Sequence, residues 1–316
     1  SREAAGGLMQ GRAVRVAAAL LLDALVGELP ESVHPTVWMG RAIAVFEKEA
    51  LTLKDPSARL AAGAALALSL PTAVFLTTRA VLSVAPCSLR WPLEAALIST
   101  TLSMRGLARA ALAVEHELER GDLNAARARV GEFVGRDTND LSRPEVARAA
   151  VESVAENTSD GVAAPMLYGV LFGAPGALAY KSINTLDSML GYREPPYTHL
   201  GRASALLDDL ANFVPARLTV LVVTALTGPG AAWAAYLYGP LSSSLNAGWV
   251  EAAFAGGLGL RLGGTNTYGG VTRPGAVLGT GRPPEARDIG RAVALMRRAC
   301  ALLAALYVAA GVDGCG

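Results

Sequence analysis

Long uncharged runs separated by short charged stretches make the main pattern of this chain. Residues 60–78, 161–180 and 218–250 contain no Asp, Glu, Lys or Arg, and each reaches or exceeds the roughly 18 to 20 residues that span a hydrocarbon core. Residues 95–104, 299–312 and 16–22 form shorter runs, the last followed at once by Asp23. These shorter runs suit membrane helices and buried core helices alike. Sustained β-branched alternation is absent while Ala- and Leu-rich stretches dominate, so helices are predicted almost throughout.

Two segments depart from that texture. Residues 105–160 hold 19 of the 55 charged side chains. Residues 105–134 read as two amphipathic helices broken at Gly121 and Asp122. Ser142-Arg143-Pro144-Glu145 is a helix start, with a Ser cap, a carboxylate three residues on and Pro in the first turn, and the helix should run to about Asn157. Ten glycines lie between Ala255 and Pro284, which predicts a long, turn-rich loop before the last helix; loops of that length are uncommon unless functional. No internal repeat of fixed period stands out.

Composition narrows the class. Of 316 residues, 52% are hydrophobic and 17% charged, with 28 basic against 27 acidic side chains and a mean hydropathy of +0.36. Soluble domains carry about 25% charged residues. The shortfall and the charge balance exclude disorder, a nucleic-acid binder that relies on net positive charge, and an acidic interaction tail. What remains is a membrane protein or an unusually apolar globular enzyme. The uncharged flanks favour the membrane, although Ala and Gly also serve close helix packing. Arg12 and Arg15 before the first apolar run mimic a signal peptide, but Asp23 interrupts the run and no clear small-residue cleavage pattern follows, so the stretch reads as mature protein. Cys87, Cys300 and Cys315 with His34, His116 and His199 form neither a disulfide scaffold nor a zinc pattern. The expected fold is all-α: a polytopic helical membrane protein, one integral-membrane catalytic domain over 1–316, with 105–160 as a charged helical insert and the Gly-rich loop before the C-terminal helix.

The chemistry-bearing residues cluster at the ends of the apolar runs. Glu145, Glu152 and Glu156 fall at offsets of seven and eleven, hence on one helical face, with Arg148 nearby and Asp160 just beyond. Such a stripe is also what a solvated helix face shows. Its position against the uncharged 161–180 run instead puts Glu156, Asn157 and Asp160 at a membrane boundary, where carboxylates are costly unless paired, hydrated or metal-bound. Oxygen-only clusters suit Mg²⁺. Asn157-Thr158-Ser159 is formally a glycosylation sequon, a frequent accidental match. Lys181, Asn184 and Asp187 share a second face. Asp208 and Asp209 with Asn212, Pro215 and Arg217 make a third group, and snorkelling at helix ends accounts for such charges as readily as function does. His34-Pro35 reads most simply as structural. Asn246 to Glu251 reads as an interfacial anchor. Neither common nucleotide fingerprint, GxxxxGK[ST] or GxGxxG, is present, and no GxSxG or HExxH appears.

Taken together, these stretches resemble the CobD/CbiB family of cobalamin biosynthesis, adenosylcobinamide-phosphate synthase, from about Leu21 to Gly270. The strongest likeness runs from Glu152 to Gly161, with Ala164-Pro165, Tyr180 to Met189, Gly191-Tyr192, Leu207 to Asn212 and Pro215-Ala216-Arg217. Weaker likenesses are His34-Pro35 with Trp38 and Gly40, Gly135 to Thr138, and Asn246 to Ala253. Two departures stand out: Gly27-Glu28-Leu29 replaces the usual Gly-Asp-Pro, and Ser242 to Asn246 replaces a His-Pro-Ser-Pro-Asn run, so Ser242 is left out of the site.

The resemblance implies a multi-pass enzyme of the cell membrane that joins (R)-1-aminopropan-2-ol, or its O-phosphate, to a carboxylate of adenosylcobyric acid, consuming ATP with Mg²⁺. The corrinoid is a substrate rather than a cofactor, and other corrinoid-pathway enzymes or a second copy are possible partners; nucleic acid is not. On this footing Glu152, Glu156, Asp187, Asp208 and Asp209 are catalytic candidates, and Glu156, Asp160, Asp187 and Asp208 metal candidates. His34, Arg136, Asp137, Asn157, Lys181, Asn184, Arg217, Asn246 and Glu251 are candidates for holding substrates, with Arg136, Lys181 and Arg217 on phosphates. Which carboxylate plays which part is not fixed by sequence. A membrane transporter, suggested by Pro- and Gly-interrupted helices at Ala164-Pro165 and Ala174-Pro175, and a noncatalytic scaffold for corrin enzymes are the other classes.

Overall fold

Helices carry most of the chain, as the Ala- and Leu-rich texture predicts: 75% of the residues are helical. The structure is a computed structural model and describes residues 2–27, 30–192 and 194–313. Glu28, Leu29 and Cys315 lie outside the described residues. The first half holds α1 (Arg2–Leu25), α2 (Pro35–Ala50), α3 (Pro56–Val84), α4 (Cys87–Ser99), α5 (Met104–Glu119) and α6 (Leu123–Gly131). Then come α7 (Arg143–Thr158), a π-helical turn at Ser159–Ala163, α8 (Ala164–Phe172), α9 (Ala174–Leu190), α10 (Arg202–Thr227), α11 (Pro229–Tyr238) and α12 (Ala247–Leu258). Four short strands, β1 (Leu262–Gly263), β2 (Asn266–Tyr268), β3 (Val271–Arg273) and β4 (Val277–Leu278), precede α13 (Ala286–Asp313).

Three helices among the described residues are long and apolar enough to cross a membrane: Pro56–Val84, Arg202–Thr227 and Ala286–Ala310. The first matches the 60–78 run and the third takes in most of the 299–312 run. The other two long runs do not form single spanning helices. Residues 161–180 are divided by Gly173, whose φ of +73° ends α8, and Pro175 then sits in the first turn of α9. Residues 218–250 are divided by Gly228, at φ +98°, followed by Pro229 at the start of α11. A left-handed glycine followed by a proline stops one helix and starts the next.

The charged segment folds as the caps dictate. Gly121, at φ +83°, separates α5 from α6, and the Asp122 carboxylate accepts from Ala125 N at 2.9 Å. Glu145 Oε2 accepts from Ser142 N at 2.8 Å and closes the capping box, so α7 begins where it was expected and ends one residue beyond Asn157. The Gly-rich segment is more ordered than a loop. Its strands form two nested antiparallel ladders, β1 with β4 and β2 with β3. Gly269 and Gly270, both at positive φ, make the tight turn between β2 and β3.

By its contacts the chain divides into two compact units. The first comprises residues 1–103, 164–212 and 304–316. Its core gathers Ile43 and Ala50 of α2 with Leu186 and Leu190 of α9 and Leu200, flanked by Leu66 and Leu70 of α3. Gly63 brings α3 onto the backbone of Leu200 so closely that a Cβ there would lie 1.9 Å from the Leu200 carbonyl oxygen. Arg15 pairs with Glu94 at 2.9 Å, and the same carboxylate accepts from Ala174 N at the start of α9. The second unit comprises residues 104–163 and 213–303. Its central element is α7, on which every residue from Val146 to Ala155 is buried. A helix buried on all faces is a core helix, not an amphipathic surface one.

Candidate functional site

In the first unit, α9 and α10 present a chain of polar side chains. Lys181 Nζ donates to Asn184 Oδ1 at 3.5 Å, as their three-residue spacing on α9 allows. The Tyr180 hydroxyl donates to Asn212 Oδ1 at 2.7 Å, and Asn212 Nδ2 donates to Asp208 Oδ2 at 2.9 Å. Tyr180 thereby fixes which way the Asn212 amide points. Asp208 is buried, and its Oδ1 has no hydrogen-bond partner. The Asn184 amide and the Asp187 and Asp209 carboxylates are its polar neighbours. Asp187 is seated by a glycine: a Cβ on Gly191 would lie 2.0 Å from Asp187 Oδ1, so the carboxylate occupies the space a side chain there would need. A buried carboxylate with an unused oxygen and carboxylate neighbours is costly unless a cation or donor joins it.

His34 caps α2, its Nδ1 accepting from Thr36 N at 3.3 Å. The structural role expected for a His before Pro is therefore present. His34 also lines a cavity of about 310 Å³ together with Lys181.

In the second unit, Glu152 is the hub of a different arrangement. Arg136 Nη2 reaches Glu152 Oε2 at 2.6 Å, while Glu152 Oε1 accepts from Arg148 Nη1 at 3.3 Å and from Gly263 N at 2.6 Å. Asn266 Oδ1 accepts from Arg136 Nη1 at 2.8 Å and from Arg148 Nη2 at 3.0 Å. Arg148 also donates to the carbonyl oxygens of Gly263 and Thr265. Asp137 accepts from Gly269 N at 3.1 Å and from Gly270 N at 2.7 Å. The Gly-rich ribbons are thus clasped to α7 and to the segment before it.

The predicted stripe on α7 does not act as one face. Glu145 closes the cap, Glu152 is buried between arginines, and Glu156 is exposed at the far end. Asn157 Nδ2 turns back to Ser153 O at 3.0 Å, and Asp160 lies in the π-helical turn, a feature often found at functional sites. Burial, and then the nearby Glu152 and Glu156 carboxylates, push the Glu251 carboxyl well above the usual range. The Arg217 guanidinium lies 4.1 Å from the Phe213 ring centre and 4.8 Å from that of Trp249, and donates to Asn246 Oδ1 at 2.5 Å. Ser242 packs against Gly248, where a Cβ would lie 2.1 Å from Ser242 Cβ.

Among the described residues, no group of three or more His, Cys, Asp or Glu side chains forms a metal-holding cluster. Of the metal candidates, Asp187 and Asp208 belong to the first unit and Glu156 and Asp160 to the second. Mg²⁺ is usually held by one or two carboxylates plus substrate phosphates, and the unused Asp208 oxygen beside Asp187 fits that mode. Sequence reasoning missed Asn266, Gly263 and the central part of Arg148, because their partners lie more than a hundred positions away. It also left Tyr180 out of the site, although the 3.6-residue period sets it on one face of α9 with Asn184, four residues on.

The family model described as CobD/Cbib protein matches residues 16–296. A cobalamin biosynthesis protein CobD of Chromobacterium violaceum is 42% identical over 298 residues, covering 93% of this chain and 95% of that protein. The protein of the same name from Geobacter metallireducens is 47% identical over 274 residues, covering 82% and 84%. A cobalamin biosynthesis protein CbiB of Salmonella choleraesuis is 38% identical over 310 residues, covering 94% and 97%. No solved structure matches. With a match over most of its length and relatives of this similarity, the chain belongs to the CobD/CbiB family of cobalamin biosynthesis proteins.

Proposed function

We propose that this chain is a multi-pass enzyme of the cell membrane that forms an amide between a carboxylate of adenosylcobyric acid and (R)-1-aminopropan-2-ol or its O-phosphate, with ATP consumed. The observation that carries the reading is the buried Asp208, with an unused oxygen, beside Asp187 in the stretches where the family likeness is strongest. A carboxylate is a poor acyl donor. Its oxygen attacks the terminal phosphorus of ATP, ADP leaves, and an acyl phosphate results. The amine, once its ammonium has given a proton to a nearby carboxylate, attacks the acyl carbon and inorganic phosphate departs.

In this reading Asp187 and Asp208 are the residues that would hold Mg²⁺, which when bound neutralises phosphate charge. Lys181 adds a cation toward the transferred phosphoryl group, and Asn184 and Asn212 fix the carboxylates that do the holding. Glu152, with both oxygens taken by arginines and a backbone N–H, serves the fold rather than the reaction. Purified protein incubated with adenosylcobyric acid, aminopropanol phosphate, Mg²⁺ and ATP is expected to give a corrinoid heavier by the amine less one water, read by mass spectrometry. No product with ATP present overturns the reading; product without ATP overturns the activation step. Movement of a corrinoid across liposomes without covalent change assigns the chain to transport instead.

A further inference from the structure

Past Gly228 the chain continues as two short apolar helices, α11 of 10 residues and α12 of 12. At 1.5 Å per residue they reach about 15 Å and 18 Å, roughly half the 30 Å of a hydrocarbon core. They pack on each other and on the end of α10 through small residues: a Cβ on Gly256 would lie 2.6 Å from Ala234 Cβ, and one on Gly257 would lie 2.6 Å from Thr227 Oγ1. The outer end of the pair is therefore level with Thr227, and from there the chain enters the ribbons, with Arg261 and Arg273 exposed. The other end, residues 239–246, is level with Arg217, whose Nη1 donates to Asn246 Oδ1 at 2.5 Å and Nη2 to Leu245 O at 3.2 Å. From Arg217 to Thr227 is about 15 Å along α10, so the tip lies near the middle of a span made by that helix.

Two features fit this hairpin to hydrocarbon. From the outer end to the tip its exposed large side chains are Trp233, Tyr236, Leu237, Leu241 and Leu245. Aromatic rings come first, at the level where headgroups meet acyl chains, and leucines follow. The turn also meets its polar groups from within. Ser242 Oγ accepts from Ser244 N at 3.2 Å, Ser244 Oγ accepts from Ala247 N at 3.1 Å, and Ser242 N donates to Gly239 O. Irregular backbone at membrane depth is tolerated only where the protein supplies such partners. In return, Leu245 O and Asn246 Oδ1 satisfy a guanidinium that is costly at that depth by itself.

We propose that the α11–α12 hairpin is a re-entrant element. It enters the bilayer from the side of the Gly-rich ribbons, turns at residues 239–246 near mid-depth, and leaves by the same side. Lipid acyl chains cover Trp233, Tyr236, Leu237, Leu241 and Leu245. The hairpin adds no crossing of its own; it carries Asn246 and the Leu245 carbonyl down to Arg217. This rests on the membrane reading of the chain and is independent of the ligase reading.

The full chain, with Cys87→Ser, Cys300→Ala and Cys315→Ser as background, is reconstituted in phosphatidylcholine vesicles. It carries one nitroxide label at a time, on Leu241→Cys, Leu245→Cys, Val271→Cys or Leu68→Cys, all exposed positions at which a label disturbs no packing. Relaxation of the label by oxygen, which concentrates among acyl chains, is compared with relaxation by a water-soluble nickel chelate. At Leu241 and Leu245 oxygen is expected to dominate several-fold, as at Leu68 within α3, while the chelate dominates at Val271. A tip at which the chelate dominates lies in water on one side or the other and overturns the proposal. With Leu68 still in lipid, that result leaves the membrane reading standing; with Leu68 in water as well, both fail. Weak relaxation by both reagents at Leu241 and Leu245 shows protein over the tip, a second copy included, and overturns lipid as its cover.

Discussion

Glu152 and Asp208 are both buried carboxylates on helices, and they are treated in opposite ways. Glu152 is fully engaged by Arg136, Arg148 and the Gly263 N–H. Asp208 has one oxygen on Asn212, one without a partner, and acidic neighbours. Both carry the signature of a family stretch, and sequence position does not separate them. Partner accounting does: the bonds of Glu152 are complete inside the protein and those of Asp208 are not, which is why the proposed reaction is placed on Asp208 and not on Glu152.

The sharpest way to break the contrast is to remove each carboxylate. Glu152→Ala strands Arg136 and Arg148 in a buried site and is expected to cost about 3–5 kcal/mol, read by denaturant unfolding in detergent. An unfolding midpoint equal to that of the native chain would undo the clasp. Asp208→Asn keeps shape and the bond from Asn212 while removing charge. It is expected to lower amide formation about 10²–10³-fold with an unchanged or higher melting temperature. A variant that unfolds while any folded fraction stays fully active would make Asp208 a second Glu152.

Gly191→Ala sharpens the same point without touching a charge. The added Cβ would meet Asp187 Oδ1, so turnover should fall roughly tenfold to a hundredfold, the cost of a displacement of about 1 Å. Unaltered kcat would show that the Asp187 position does not matter to the reaction.

The smallest effect concerns pH. The Glu251 carboxyl is raised in the folded chain by burial and by Glu152 and Glu156. A raised carboxylate contributes stability below its unfolded value and loses it as pH rises through the folded one. The melting temperature of the native chain should therefore drop from mildly acidic toward alkaline pH, and Glu251→Gln should flatten that drop. Parallel curves for the two proteins would exclude Glu251 as the cause.

Much of the local structure was legible because its causes are local. Gly121-Asp122 and Ser142 to Glu145 act over three or four residues, and the elements begin and end where those residues say. Residues 161–180 and 218–250 misled because mean hydropathy over a window is blind to one residue: Gly173 and Gly228 break the helices while leaving the runs apolar. The β ladders were hidden because strands of two or three residues have no period to detect. At the site, Lys181 and Asn184 were legible from helical spacing. The pairing of Arg136 and Arg148 with Asn266 was not, since 130 and 118 positions separate them and only the fold brings them together.

The clasp on the Gly-rich ribbons reads the chain without reading its letters. Asp137 bonds the N–H groups of Gly269 and Gly270, and Arg148 bonds the carbonyls of Gly263 and Thr265, all of them main-chain atoms that any residue other than proline supplies. Mutational tolerance in this lobe is accordingly lopsided. Exposed strand positions such as Val271 should accept substitution readily, the left-handed turn glycines should not, and the instructions that keep the lobe in place are written more than a hundred residues upstream.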